Sequence, residues 1–255
     1  MLLCISIGNS NIALGLWDQQ QWLAHWRIRT VREEMPDEYA ILLQALLRDG
    51  GYEPPADTRV VVASVVPPLT PVFAELARRY STREPLVVGP GIRTGLRLRI
   101  DNPVELGAVL VADAVAAYNR FRGACIVADF GTATTFSAVS ARGDLEGVSI
   151  ACGLGVAAEA LASRTAQLPR ISLVPPPAAI GKNTVHSMRS GLVLGYVGLV
   201  EELIRRIRDE LGGEAKVIAT GGLSEVVAPL TPEIDMVDPW LSLDGLRIIA
   251  ERNPV

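Results

Sequence analysis

The sequence predicts an α/β fold made of two similar halves. Strand-like apolar runs alternate with segments of helical periodicity along the 255 residues, a pattern typical of α/β proteins. A glycine-containing strand–turn–strand motif near the N-terminus recurs about half a chain later. Together these observations predict a duplicated, two-lobed architecture with a cleft between the lobes. We expect the domains to comprise residues 1–118 and 119–255.

The first half supplies a hairpin, two helices, two further strands and a long helix. Polar and proline or glycine residues separate these elements, since such residues favour turns and helix ends. In chain order we predict strands Leu2–Ile7 and Ile12–Trp17, helix Tyr39–Leu47, strand Val60–Val66, helix Val72–Tyr80, strand Leu86–Val88 and a helix opening at Pro103 and running through Tyr118.

The second half begins again with two strands around a turn rich in glycine and threonine. The later elements follow the same alternation of strand and helix. We predict strands Cys125–Phe130 and Thr135–Val139, a helix around Gly195–Leu211, strand Val217–Ala219 before Thr220-Gly221-Gly222, and a last helix near Leu243–Arg252.

The two hairpins carry one repeated motif. Residues 5–12 read ISIGNSNI and residues 128–135 read ADFGTATT, so that Ser6 and Gly8 recur as Asp129 and Gly131, each 123 positions later. A glycine turn lets backbone N–H groups approach an anion, and an acid beside it can hold a cation against phosphates. Most such turns only reverse the chain, but repetition at half-chain spacing favours phosphate binding. Ser6 carries no charge to hold a divalent ion.

Composition excludes several functional classes. The net charge of −4 gives no basic face for nucleic acid, and the apolar runs are too short to span a membrane. Residues 1–7 run directly into a polar turn, so they are not expected to be a signal peptide. Cys4 and Cys125 lie in strand-like runs and predict buried, reduced thiols, and the two histidines fit no metal-ligand spacing. We therefore expect a cytoplasmic protein.

Motifs along almost the whole chain resemble those of the type III pantothenate kinases, a branch of the actin and sugar-kinase superfamily with a ribonuclease H-like core. The resemblance rests on many matches in the same order. They are Gly8-Asn9-Ser10-Asn11, Ser64-Val65-Val66-Pro67-Pro68-Leu69, Gly91-Ile92-Arg93-Thr94-Gly95-Leu96, Asp101-Asn102-Pro103, Glu105-Leu106-Gly107-Ala108, residues 129–135, Gln167-Leu168-Pro169, Gly181-Lys182-Asn183-Thr184, Ser190-Gly191, Thr220-Gly221-Gly222 and Arg252-Asn253.

The resemblance implies two actin-like domains and an obligate homodimer with sites near its interface, which we expect on the C-terminal domain. It implies phosphorylation of pantothenate by ATP, the first step of coenzyme A synthesis. It also implies Mg²⁺ with the nucleotide and a monovalent cation, K⁺ or NH₄⁺.

Family roles can be carried over only where the residues match. ATP phosphates would meet the turn Gly8-Asn9-Ser10-Asn11, and Thr132 would touch ATP. Asp129 would bind the monovalent cation and Thr184 would contact pantothenate. Gly107 and Ala108 match the start of the family's substrate loop.

The resemblance fails at positions where the family has catalytic and substrate-binding residues. The family has Asp at position 6, where this chain has Ser6. Its Gly-Ala-Asp-Arg motif appears as Gly107-Ala108-Val109-Leu110, which removes the proton-accepting aspartate and a substrate-binding arginine. A substrate-contacting tyrosine is replaced by Ile100. Smaller departures are Val148 in a usual glycine pair and Cys152 at a usual proline.

Two rescues of the lost groups are conceivable. Glu105 and Asp113 each lie four residues from Val109, so on one helix either could replace the base, although a helical turn displaces it by about 5.4 Å. Lys182 or Arg189 could pair with the pantothenate carboxylate.

The departures favour a degenerate homologue with weak or absent nucleotide binding and negligible kinase activity. Such a protein would act by binding a partner, for which an active paralogue is a candidate. The alternatives are a working kinase with a rebuilt site, for pantothenate or another small hydroxyl substrate, and a non-catalytic ligand sensor.

Overall fold

A computed structural model describes residues 1–254 and divides the chain into two compact units. One unit contains residues 1–116 and the segment from Trp240 onward, and the other contains residues 117–239. The expected division after residue 118 lies close to this one. The C-terminal segment, however, groups with the first unit rather than the second. No helix of the described residues is both long and apolar enough to cross a membrane.

Eleven strands and eight α-helices make up the described chain. In order they are β1 Leu2–Ile7, β2 Asn11–Trp17, β3 Trp22–Arg29, α1 Pro36–Asp49, β4 Arg59–Ser64, α2 Leu69–Tyr80, β5 Leu86–Val87, β6 Arg97–Leu98, α3 Ala108–Phe121, β7 Cys125–Phe130, β8 Ala133–Val139, β9 Asp144–Cys152, α4 Leu154–Arg164, α5 Thr184–Arg189, α6 Gly195–Glu210, β10 Lys216–Thr220, α7 Ser224–Val227, β11 Met236–Val237 and α8 Leu241–Arg252.

The sheet topology confirms the duplication predicted from the hairpin motif. The first unit contains a sheet in the order β3-β2-β1-β4-β5, and the second unit repeats it as β9-β8-β7-β10-β11. In each, the hairpin's first strand is antiparallel to its hairpin partner and parallel to the strand on its other side. The predicted α/β, duplicated actin-like fold is therefore correct.

Strand register corrects one detail of the repeat. Ile7 pairs with Ile12 across the first turn, whereas Phe130 pairs with Thr134 across the second. Four residues form the first turn and three form the second. The constant spacing of the motif therefore ends at the turn, and Thr134 rather than Thr135 is the structural counterpart of Ile12.

Alternation along the central strands gives each sheet two buried faces. Ile5 of β1 belongs to the cluster that contains Tyr39 of α1 and Phe73 of α2. Cys4 points to the opposite face, whose cluster includes residues of α3 and α8. In the second unit, α6 packs on β7, β8 and β10 in a third cluster. Residues with odd and even numbers in β1 therefore face different helices.

The long helix predicted from Pro103 is wrong in its first turn. Residues 103–105 form a separate 3₁₀ turn, Leu106 is extended with a ψ of 124°, and α3 begins only at Ala108. The sequence patterns also missed β3, β9, α4 and α5, which contain many half-exposed or exposed positions.

Candidate functional site

The first glycine turn is fastened by the residues that follow β3. The Gly8 N–H donates to the Asn11 carbonyl at 3.0 Å. Thr30 donates its backbone N–H to the Ser10 carbonyl at 3.0 Å and its hydroxyl to the Gly8 carbonyl at 2.7 Å. These bonds occupy the turn's carbonyls and hold it rigidly, while residues 9–11 are exposed to a ligand.

Arg32 places a positive charge on this turn. Its Nη2 donates to Asn9 Oδ1 at 3.0 Å, and the side chain is exposed. A guanidinium beside this turn favours the binding of anions. No local sequence pattern indicates this role, because Arg32 lies 23 residues from its partner.

Ser6 lies in a row of small side chains just before the same turn. It is 6% exposed and stands directly between Ala13 of β2 and Ala63 of β4. Magnesium requires oxygen ligands that include carboxylates or phosphates, and this row of three offers one neutral hydroxyl. Position 6 and its two neighbours therefore supply no carboxylate for a magnesium ion.

The second turn keeps its acid. Asp129 of β7 stands between Thr135 of β8 and Thr220 of β10. Gly221 follows with a φ of +88°, and a Cβ there would lie 2.3 Å from Asp129 Oδ1 and 2.7 Å from the Phe130 backbone. Only glycine allows this loop to approach the carboxylate so closely.

A third segment closes on the second turn. The Gly153 N–H donates to the Thr132 carbonyl at 3.1 Å, and a Cβ on Gly153 would lie 2.4 Å from the carbonyl oxygens of Gly131 and Thr132. Thr135 Oγ1 is buried and has no hydrogen-bond partner among residues 1–254. The second unit thus keeps a tight cradle of oxygen atoms beside a carboxylate.

A buried hydrogen bond between two side chains lies next to the second turn. The hydroxyls of Thr134 and Tyr196 are hydrogen-bonded to each other. Burial raises the pKa of the Tyr196 phenol above its usual range. Tyr196 therefore stays neutral at physiological pH and acts as a polar but uncharged support for the turn.

The start of α3 is part of an apolar core. Val109 is 9% exposed and belongs to the cluster that contains Ala112 and Leu246, with Leu106 packed against it. A Cβ on Gly107 would lie 2.9 Å from a methyl of Val65, so the loop is in close contact with the residue that follows β4. Val109 therefore fills apolar space beside Leu106.

Asp113 is buried inside the first unit and already has a hydrogen-bond partner there. It is 1% exposed, and Oδ1 accepts a hydrogen bond of 2.6 Å from the hydroxyl of Ser242. This contact joins α3 to α8. A carboxylate buried at a helix–helix contact is poorly placed to collect a proton from a diffusing substrate.

Glu105 cannot replace the base from the position predicted for it. It lies in the separate 3₁₀ turn before α3, is exposed, and accepts a hydrogen bond of 2.7 Å from Asn102 Nδ2. The expectation that Glu105, Val109 and Asp113 share one helical face is wrong for Glu105, because Leu106 breaks the helix between them.

Comparison with known proteins identifies the family. The model of the type III pantothenate kinases matches residues 2–206. This chain belongs to the type III pantothenate kinase family. Proteins named type III pantothenate kinase from Moorella thermoacetica and Roseiflexus sp. are each 47% identical to it over 253 residues, covering 99% of this chain and 100% and 99% of those relatives.

A solved sugar-kinase structure shares the fold. The inorganic polyphosphate/ATP-glucomannokinase of an Arthrobacter species has a TM-score of 0.50 and 15% identity, over 99% of both chains. The similarity supports the actin-like, sugar-kinase-like architecture. Membership of this kinase family implies the use of ATP and a metal ion. At position 6 of the first unit, where the resemblance implies an aspartate, this chain has Ser6.

The residues that the resemblance places at pantothenate differ in their exposure and polarity. Thr184 is the exposed first residue of α5, where Asn183 caps the helix by accepting the His186 N–H at 2.9 Å. Ile100 is half-buried and offers no hydrogen-bonding group. Leu110, also half-buried, packs near Gly107.

The two basic residues considered as replacement partners differ in their contacts. Arg189 donates to the carbonyl of Ser172 at 3.2 Å and to its hydroxyl at 2.5 Å, so its guanidinium fastens a loop of the second unit. Lys182 is exposed. Lys182 is therefore the better placed of the two to meet an anionic ligand.

The family motif at the C-terminus has a structural role. Arg252 donates to the Thr94 carbonyl at 2.5 Å, and Asn253 accepts the Arg93 N–H at 3.0 Å. Gly95, with a φ of +83°, leaves the space that the Arg252 guanidinium occupies. The two motifs are distant in sequence, and their contacts together hold one loop.

Proposed function

We propose that this chain is a type III pantothenate kinase homologue that has lost pantothenate phosphorylation. The observation that carries the proposal is the packing of Val109 in the apolar core of the first unit. The two nearest acids in sequence are engaged elsewhere, Asp113 with Ser242 and Glu105 with Asn102. A missing general base costs two to four decades of rate.

The nucleotide half of the site is weakened rather than removed. The Gly8 turn and Arg32 keep the groups that attract phosphates, but Ser6 supplies no charge for Mg²⁺. Asp129 and the hydroxyl of Thr135 are oxygen donors suited to a monovalent cation such as K⁺ or NH₄⁺. We therefore expect weak binding of Mg-ATP and retention of the cation site.

The intact second unit favours one alternative, a non-catalytic ligand sensor. Gly153 and Gly221 still close around the second turn, as a ligand cradle requires. A sensor would bind ATP or pantothenate without turnover.

A role in protein assembly is also part of the proposal. Val156, Leu194 and Leu199 of the second unit are 42%, 37% and 37% exposed. A contiguous patch of exposed apolar side chains is typical of a protein interface, and α4, which carries Val156, packs against the π-helical segment that ends at Leu194. We propose that this unit forms a homodimer or pairs with an active paralogue, in the reducing cytoplasm where free thiols persist.

The decisive experiment measures phosphorylation of pantothenate with ATP, Mg²⁺ and K⁺. We expect turnover at least about 10³-fold below the roughly one per second of an ordinary kinase. Turnover near one per second would refute the proposal. If Asp113→Asn or Glu105→Gln then abolished that activity, the rebuilt-site alternative would be correct. Calorimetry with ATP and with pantothenate separates a sensor, which binds, from a purely structural partner.

A further inference from the structure

An arginine of β3 lies beside the first glycine turn, on the face of the sheet that carries Ser6. Ser6 of β1 pairs with Ala13 of β2, and Ala13 pairs with Arg27 of β3. Two residues nearer the turn, Asn11 of β2 pairs with Arg29 of β3. Residues directly opposite on neighbouring strands, and residues two apart in one strand, share a face of the sheet. Arg29 is therefore next to the turn, on the same face as Ser6.

Two arginines keep their charge available at this turn. The Arg27 guanidinium lies over the ring of Trp240, 4.7 Å from its centroid. Arg29 and Arg32 are exposed, and neither forms an ion pair with a carboxylate of residues 1–254. Arg32 instead donates to the neutral amide oxygen of Asn9, within the turn, at 3.0 Å. An anion at the turn therefore meets two positive charges that are not already paired with an acid.

The two acids that follow Arg32 lie close to the other face of the sheet. Burial raises the pKa of the Tyr39 phenol, and the nearby charges of Glu34 and Glu33 raise it further. Tyr39 packs in the cluster that contains Ile5, whose side chain is on the face opposite to Ser6. The negative charges of this segment are thus near Tyr39, and positive charge is in excess at the turn.

The carbonyl oxygens of the turn, which would repel an anion, already accept hydrogen bonds. The Gly8 carbonyl accepts the Thr30 hydroxyl, and the Ser10 carbonyl accepts the Thr30 N–H. The Asn11 carbonyl accepts the Gly8 N–H. Asn9 and Ser10 are exposed. The turn therefore offers an anion hydrogen-bond donors from exposed residues, while its own acceptors are occupied.

We propose that the first turn binds the phosphates of a nucleotide free of magnesium, with Arg29 and Arg32 supplying positive charge in place of the metal ion. The inference rests on the proposed function, in which the nucleotide half of the site is weakened rather than removed. Ser6 and its two strand neighbours offer one hydroxyl and no carboxylate, which does not fit Mg²⁺. Free ATP carries more negative charge than its magnesium complex, so two arginines attract it more strongly.

The test titrates ATP into the full chain by calorimetry, once with EDTA and once with excess Mg²⁺, at one ionic strength. We expect ATP to bind about 3- to 10-fold more tightly with EDTA, the combined effect of two exposed charge pairs. Replacing both arginines, Arg29→Gln with Arg32→Gln, should weaken binding in EDTA by about the same factor and remove the preference for free ATP. Arg48→Gln is the matched control, because Arg48 is exposed at the end of α1 and also has no carboxylate partner among residues 1–254. It should bind ATP as the unmodified chain does.

A carboxylate at position 6 should reverse the metal dependence. In Ser6→Asp we expect Mg²⁺ to tighten ATP binding, because the new acid repels free ATP and can hold the ion. Ser6→Asn, similar in shape but neutral, should keep the preference for free ATP. If Ser6→Asp does not fold, the arginine variants still decide the matter.

Three results would overturn the inference. They are tighter binding by the unmodified chain with Mg²⁺ than with EDTA, no binding of ATP in either condition, and an unchanged preference for free ATP when both arginines are replaced. None of them bears on the loss of pantothenate phosphorylation, which only turnover in the kinase assay refutes. A failure of this inference is therefore distinguishable from a failure of the proposed function.

Discussion

Restoring the missing groups should restore the chemistry if their loss is the reason for inactivity. The perturbation combines Ser6→Asp, Val109→Asp and Leu110→Arg on the full chain. Ser6 is followed by an intact glycine turn, and Val109 lies at the N-terminal end of α3. A carboxylate there is favoured by the helix dipole, which partly offsets its burial.

The expected changes in reaction rate and in stability can be estimated from the structure. A restored base is worth two to four decades of rate, or about 3 to 5 kcal/mol of transition-state stabilisation. Replacing a valine that is 9% exposed sacrifices about 1.5 to 3 kcal/mol of hydrophobic burial. Since domains have about 5 to 15 kcal/mol of stability in total, the variant should remain folded but melt at a lower temperature.

The assay is ATP-dependent phosphorylation of pantothenate, with folding verified by circular dichroism. Val109→Asn in the same background is the matched control, because asparagine has the shape of aspartate but cannot take the proton. We expect the aspartate variant to exceed the asparagine control by at least about 100-fold. Equal rates in two folded variants would refute the reasoning, because they would show that position 109 does not receive the proton.

Three further predictions concern groups placed by the structure. Gly221→Ala should weaken cation and nucleotide binding and lower stability by about 1 to 3 kcal/mol, whereas Gly222→Ala, with open space around its Cβ, should change little; calorimetry and melting curves check both. Asp113→Ala and Ser242→Ala should each destabilise the chain, with a coupling energy of about 1 kcal/mol or more in a double-mutant cycle; additive effects would contradict their contact. Burial raises the pKa of the Cys125 thiol to about 12 in the folded chain. The contribution of this thiol to the free energy of unfolding is therefore complete below about pH 9 and is lost as the pH rises towards 12. Denaturant titrations should show that the free energy of unfolding falls less steeply above pH 9 in Cys125→Ala than in the unmodified chain, by about 1 kcal/mol per pH unit. Parallel pH profiles of the two proteins would contradict this prediction.

The duplicated fold was predictable because its signal is local. The glycine turns and apolar strands are contiguous in sequence, so they revealed the repeat before the sheet order confirmed it. The loss of Asp at position 109 was also visible, because it interrupts a recognisable motif. These features needed no knowledge of distant contacts.

Other features depend on contacts between remote segments. The long helix from Pro103 fails because Gly107 packs against Val65 and the chain is extended at Leu106. Asp113 was a candidate replacement for the base, and the sequence could not reveal that Ser242, 129 residues away, binds it. The placement of α8 in the first unit arises from its packing on β1, β2 and β4, which no local pattern encodes.

The most direct test of the central claim is a single-turnover experiment with the unmodified protein in excess over labelled ATP, in the presence of pantothenate, Mg²⁺ and K⁺. Working at protein concentrations that calorimetry shows to be saturating separates the chemical step from weak binding. We predict that the label stays on ATP for minutes, because Val109 stands at the position expected for the base and both Asp113 and Glu105 are engaged in other hydrogen bonds. Transfer of the label to pantothenate at about one per second would contradict this conclusion.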